Sequence, residues 1–519
     1  MRVLAALSLL LPVGAFAQTR PDLEYRDTEV DEKEERLTVR GFFESSYYEY
    51  NNLDVRVLEE ESGDQEILFS DDRGGFAFTG AQVELGYQVD DQVRVVVAGS
   101  HRGLWGDDQI GETNQFGGFI YFPALYADLY TKPSNKGVRF RIGRQFYSLA
   151  GLGPGVRDYV LADILDMVRV DIPVGSIGTW TLVPINVYST ASDYAEVDFV
   201  GLIGQQNPET YNFRGNVLTR RLGTTFDLAV PGTSVDAQAY AFFTNFHGRG
   251  SGADISNNGV AGNFTDNDYV VNYGVRGSLG TTIVPFAEFN GSVGIDRSQL
   301  GLRDIDTNGF AWGGGVVLDT RNDAGAGLIA QARYFESQGA AVARDGQQFS
   351  HGYVGMKGQQ VGGTLFNRFL GFHPSAYAGR NGITDNPQQP SRKSGTRALE
   401  AFATYQLDMG LSLFAGVWHL QDTGFSNVDF SDLDNLEPDP SLSIAEIAAT
   451  RRLGRTLGTE LNLEVGWTFS PRVDAFARGA AVLPGQYYSI VVDRVGGNAL
   501  GSPEPRNPWA AEAGVRVSF

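Results

Sequence analysis

The chain contains no cysteine. That excludes a disulfide framework, a thiol catalyst and a lipid-anchored cysteine start. Beyond the N-terminus it also lacks an apolar run of about 18 residues, so no transmembrane helix is expected. Histidine is scarce: His101, His247, His351, His373 and His419 are scattered, with no HxH or HxxxH spacing. Such scatter does not build a zinc site. No GxSxG nucleophile motif occurs, and the sequence does not read as an enzyme. Lysine is nearly absent too; of the 41 basic residues only five are lysine, leaving 36 arginines. The net charge of −21 disfavours nucleic acid as a partner.

What is present is patterned. Arg2, the apolar stretch Val3 to Val13 (interrupted by Ser8 and Pro12) and Ala15-Phe16-Ala17 read as a secretory signal peptide over 1–17. Residues 18–35 are acidic and irregular, and read as a solvated periplasmic arm. From 36 to 519, strand-like segments recur. Their period-two alternation is clear in Glu460 to Phe469, where Leu461, Leu463, Val465, Trp467 and Phe469 share one face. It is equally clear at the end, where Trp509, Ala511, Ala513, Val515, Val517 and Phe519 oppose Ala510, Glu512, Gly514, Arg516 and Ser518. That ending resembles the C-terminal signal of outer-membrane β-barrels, which implies contact with a barrel-insertion machinery.

Connections between these segments alternate in length. Short ones fall at Asp90-Asp91, Lys132 to Lys136, Gly175-Ser176, Pro231-Gly232, Thr281-Thr282, Arg321 to Ala324, Met409-Gly410 and Ser470-Pro471, all turn-forming compositions. Nine long ones intervene, the longest at 338–395. Eight short and nine long connections join about 18 strands (16–20), an all-β, antiparallel transmembrane barrel with short periplasmic turns and long extracellular loops. A closed barrel satisfies every backbone polar group, as a bilayer demands. Tyr47, Tyr48, Tyr87, Tyr130, Trp418 and Trp467, near strand ends, are expected in interfacial girdles.

Alternation also predicts the inward face. It places Arg40, Arg94, Arg139, Arg141, Arg169, Arg221, Arg276, Arg333, Arg478 and Arg516 there. Glu84, Asp128, Asp171, Asp227, Asp236, Glu288, Glu400, Glu460, Glu464, Asp474 and Glu512 face them. Most of these would be ion pairs that stiffen the wall. Arg139, Arg141 and Arg144 stand apart as three arginines within six residues with no intervening acid, a candidate solute-facing cluster. Arg144 falls on the apolar phase, so the cluster needs a bulge. The long 338–395 connection is a candidate constriction or lid. Asp254, Asn257, Asn258, Asp266, Asn267, Asp268 and the acids of 429–439 are oxygen-ligand types that would suit a loop-bound divalent cation. No twelve-residue calcium-loop spacing supports one, and no other cofactor is indicated.

Ile142-Gly143-Arg144-Gln145, Leu457-Gly458-Thr459-Glu460-Leu461-Asn462-Leu463 and Leu483-Pro484-Gly485 are similar to segments of the alginate-export family. The resemblance implies an eighteen-stranded outer-membrane barrel that passively exports an acidic exopolysaccharide, with a periplasmic export complex as partner. It makes Arg139, Arg141 and Arg144 pore-lining candidates. The residues alone leave two other functions open: a general or small-solute uptake porin, and a plugged structural or surface-interaction barrel.

Overall fold

The computed structural model describes residues 36–51, 73–105, 118–153, 155–188, 217–229, 232–248, 267–296, 305–322, 325–339, 341–342, 348–350, 352–356, 358–359, 361–365, 395–407, 409–423, 456–485 and 507–519. The expected signal peptide, the acidic arm and the acidic stretches at 254–266 and 429–439 lie outside these residues.

Eighteen long strands form the wall. They are β1 (Leu37–Asn51), β2 (Arg73–Asp90), β3 (Val93–Trp105), β4 (Gly118–Lys132), β5 (Lys136–Ser148), β6 (Ala162–Val174), β7 (Gly178–Tyr188), β8 (Val217–Ala229), β9 (Val235–Gly248), β10 (Asn267–Leu279), β11 (Ile283–Asp296), β13 (Gly309–Asp319), β14 (Gly327–Ser337), β17 (Thr396–Gln406), β18 (Leu411–Asp422), β19 (Thr456–Ser470), β20 (Val473–Pro484) and β21 (Trp509–Ser518). Three short strands, β12 (Ile305–Asp306), β15 (Ala341–Val342) and β16 (Gln348–Ser350), sit in the long connections. Each long strand pairs antiparallel with the next; β11–β13 and β14–β17 pass over the short ones. β21 then pairs with β1, from Phe42 opposite Ser518 to Asn51 opposite Trp509. Gly41 and Phe519 exchange N–H···O bonds of 2.9 Å at this seam. The wall of eighteen long strands is therefore closed on itself.

Connections of two to seven residues lie at one end and all the longer ones at the other, the polarity of an outer-membrane barrel. The start of β1 at Leu37 and Phe519, the residue after β21, lie at the short-turn, periplasmic end. The outward phase is apolar and exposed, as at Leu85, Leu129, Val275, Leu413, Leu463 and Val465. Aromatic rings border this band. Phe243 stacks on Tyr269, Phe289 on Phe310, and Trp312 contacts Tyr334 toward the extracellular end. Tyr87, Trp180, Tyr405, Trp467, Phe469 and Phe519 face outward toward the periplasmic end. A surface of this kind is compatible with hydrocarbon bounded by two interfaces. The chain is a multi-pass β-barrel of the bacterial outer membrane.

The girdle expectation needs a correction. Tyr47, Tyr87 and Trp467 are exposed on the outside, but Tyr48 and Trp418 are buried inside the barrel. Tyr130 pairs in register with the inward-facing Arg139. Proximity to a strand end does not decide the face; the parity of the strand position does.

Candidate functional site

The barrel interior is built by the inward phase of each strand. Asp128 on β4 and Arg141 on β5 are register partners, so their side chains share that face. Arg141 grips Asp128 bidentately, Nε to Oδ1 at 2.7 Å and Nη2 to Oδ2 at 3.0 Å, and its guanidinium lies 4.1 Å from the Tyr126 ring centre. Next to this pair, Asp171 on β6 accepts from Arg139 Nε and Arg169 Nε, each at 2.8 Å, and from Thr181 Oγ1 at 2.7 Å. Arg94 on β3 is opposite Asp128 in register. Among the described side chains, the periplasmic half of β3–β6 thus presents four arginines inward against two aspartates.

The other predicted arginines are spread round the wall. Arg478 pairs with Glu512 and donates to the Tyr48 hydroxyl at 3.2 Å. Arg516 lies 4.1 Å from the Phe42 ring centre, with Glu44 at 3.9 Å. Arg221 donates to Thr244 Oγ1 at 3.1 Å. Arg276 and Arg333 belong to a separate buried network described below.

Arg144 does not join Arg139 and Arg141. The register between β5 and β6 runs unbroken from Arg139 to Ser148, so position 144 has the opposite parity. Its register partner on β4 is the exposed Leu125, and its guanidinium binds Asp166 bidentately at 2.9 and 2.8 Å. The bulge that would turn Arg144 inward is absent between these strands; the pair sits on the outward face.

Two extracellular connections enter the barrel. The first, residues 149–161, descends far: Leu152 packs with Val284, Phe286, Val317 and Ile329, three of which lie close to the periplasmic turns. Its turn is organised by Asp158, whose carboxylate accepts from the backbone N–H groups of Leu149, Val160 and Leu161 at 2.8, 2.9 and 3.3 Å. The same carboxylate accepts from Arg276 Nη1 at 3.1 Å. Arg276 Nη2 reaches Glu288 Oε2 at 3.1 Å, and Arg333 Nη2 reaches Glu288 Oε1 at 2.5 Å. Arg333 also donates to the Arg157 carbonyl at 2.8 Å and lies 3.9 Å from the Tyr159 ring centre. The Tyr159 hydroxyl donates to Glu400. Burial, and then the neighbouring Glu400 carboxylate, raise the Tyr159 hydroxyl above the ordinary tyrosine range, which keeps it a donor. Arg276 and Arg333 thus meet the carboxylates of Asp158 and Glu288, and Tyr159 ties Glu400 to the same network.

The second segment, the described residues of 352–365 (352–356, 358–359 and 361–365), lies against the first. Gln359 N–H donates to the Asp158 carbonyl at 2.7 Å, and Asp158 N–H to Gln359 Oε1 at 2.9 Å. Arg157 reaches the Gly362 carbonyl. The contact needs glycine at 358, where a Cβ would lie 2.2 Å from the Tyr159 carbonyl carbon. The segment bridges the interior. Val354 binds Ser292 at 2.9 Å and Asn272 at 2.6 Å on one side. On the other, Gly363 and Leu365 N–H groups donate to Glu460 at 3.1 and 2.6 Å, and Thr364 to Asn462 at 3.2 Å. At Gly363 a Cβ would lie 2.2 Å from Asn462 Nδ2.

Sequence reasoning placed Glu288, Glu400, Arg276 and Arg333 on the inner face but missed Arg157, Asp158 and Tyr159. Their only local signal is an acid followed by the apolar run Tyr159-Val160-Leu161, which marks a buried turn without saying where it is buried. Among the described residues no group of three or more His, Asp or Glu is arranged to hold a metal ion.

No protein-family model and no curated protein matches the chain. Solved structures with a related shape include OccAB4 of Acinetobacter baumannii, at 8% identity and a TM-score of 0.45, covering 94% of this chain and 99% of that one. The outer membrane protein opdK of Pseudomonas aeruginosa gives 8% identity and a TM-score of 0.47, covering 93% and 99%. OccK8 (OprE) of the same organism gives 10% and 0.46, covering 93% and 98%. Likeness at this level adds nothing to the closed eighteen-stranded wall already visible in the strand pairing.

Proposed function

We propose that this protein is a diffusion channel for small anionic solutes, with carboxylates as the favoured class. The observation that supports this reading is the inward group on β3–β6, where Arg94, Arg139, Arg141 and Arg169 outnumber Asp128 and Asp171. Asp171 engages Arg139 and Arg169 through Nε. A guanidinium presents its N–H donors as a planar fork that matches the geometry of a carboxylate. Sequential exchange between such forks lets a solute move without deep binding.

A small solute fits this interior better than a polymer does. The 149–161 and 352–365 segments bridge the lumen and are anchored on β9–β11, β14, β17 and β19. Passive export of an acidic polysaccharide would require both to withdraw at once. Among the described residues no contact favours alginate in particular.

The test is the reversal potential of the full chain in planar bilayers under a potassium chloride gradient. Anion preference is the expected result. Arg139→Gln combined with Arg169→Gln shifts the potential toward cations, because it removes two of the four positive charges and keeps both aspartates. A wild-type channel that prefers cations, or a double variant with unchanged selectivity, rejects the reading.

A further inference from the structure

The inserted Asp158 has the chemistry that the proposed function assigns to the solute. It is a carboxylate, borne on a connection rather than on the wall, and it is seated on a wall arginine. Arg276 is fully buried beneath it, with Glu288 on its other fork. Gln238 from β9 closes the seat at 3.2 Å from Ala150 N–H, and Arg276 lies 5.9 Å from the Tyr240 ring centre. Resting on the anion-channel reading, we infer that Arg276 is a carboxylate site occupied by a tethered internal ligand, Asp158, and that solute carboxylate competes for it.

Competition would be felt across the lumen because the two segments are joined. Asp158 is the residue whose backbone exchanges two hydrogen bonds with Gln359, and Arg157 beside it holds the Gly362 carbonyl. When Asp158 leaves Arg276, its neighbours pull on 352–365, which spans from Ser292 to Glu460. The contact is thus autoinhibitory: the narrowed state is the one in which the internal carboxylate is seated, and solute favours the wider one by differential binding.

Removing either partner of an ordinary structural ion pair loosens the segment in the same way. Competition makes the two variants differ in sign. The probe is sodium benzoate against sodium chloride at equal ionic strength, with single-channel conductance of the full chain as readout. In the wild type, benzoate raises the occupancy of a larger conductance state. Asp158→Asn keeps an oxygen for the backbone N–H groups of Leu149, Val160 and Leu161 but removes the competing charge. The half-effective benzoate concentration then falls on the order of tenfold, the effect of losing one charge-assisted contact. Arg276→Gln abolishes the benzoate response, and Arg276→Lys, which keeps the cation, retains part of it. Heat-modifiability on gels confirms that each barrel is folded. The inference is overturned if benzoate and chloride act alike on the wild type, or if Asp158→Asn and Arg276→Gln change the benzoate response in the same direction. Chloride reversal potentials from the same bilayers test the broader channel reading separately: an anion-selective channel that ignores benzoate retains that reading and loses this one, and a cation-selective channel that responds to benzoate does the reverse.

Discussion

Glu288 carries more of the interior than any arginine around it. Its two oxygens divide between Arg276 and Arg333, and all three side chains are inaccessible to solvent. Asn290 adds a third donor at 3.1 Å. Taking three charges out of water is costly, and mutual pairing offsets that cost only while the set is complete. Glu288→Gln leaves two buried guanidiniums sharing one neutral oxygen. The expected loss of stability is about 3–5 kcal/mol, the usual consequence of orphaning a buried charge. It is measured as a lowered urea midpoint for the folded band in detergent. Glu400→Gln is the milder change, since it keeps an acceptor for the Tyr159 hydroxyl, and its expected cost is about 1 kcal/mol. Equal midpoints for the two variants would show that Glu288 is not the shared anchor.

The elements divide into those legible in the sequence and those that are not, and the reason is physical. A strand of a barrel wall is specified locally: side chains alternate with period two, and turn chemistry ends each run. Hence Asp90-Asp91, Gly175-Ser176 and Ser470-Pro471 mark true turns, and Arg139 and Arg141 face inward as their parity requires. The same parity rule puts Arg144 outside, because the bulge that its membership of the cluster requires is absent from the β5–β6 register. Whether a connection stays outside or enters the barrel is not local. The turn at Asp158 is completed by Arg276, more than a hundred residues away, and by Gln359 at greater distance still. In the 352–365 segment the glycines are the trace of this insertion, because they allow backbone to lie on backbone or on wall side chains. Gly363→Leu tests that role. A side chain there collides with Asn462 and Glu460, so the segment cannot dock, while β18–β20 pair through contacts that do not involve it. The expected outcome is a normally folded barrel with a stepwise increase in single-channel conductance. An unchanged conductance would mean that the segment does not limit the pore.

At the scale of the whole molecule, charge is distributed unevenly. The chain carries a net −21, yet the inward periplasmic half of β3–β6 is positive. The sequence between β18 and β19 carries further acids, Asp429, Asp432, Asp434, Glu437 and Asp439, whose charge opposes that of the arginines. Which set governs permeation depends on distance and on salt. At 1 M salt the screening length is about 3 Å and at 0.1 M about 10 Å. The arginines lie on the lumen wall itself, within a screening length of ions that move along it. The wall set therefore retains influence at high salt and gains more at low salt. The prediction is an anion-to-cation permeability ratio above unity at 1 M potassium chloride that rises at 0.1 M, read from reversal potentials under a fixed tenfold gradient. With Arg139→Gln and Arg169→Gln combined, the ratio should fall toward unity at 1 M and drop further at 0.1 M, because the net negative charge of the chain then governs selection. A wild-type ratio that falls on dilution would assign selectivity to the chain's excess of acidic residues and remove the arginine group from its governing role.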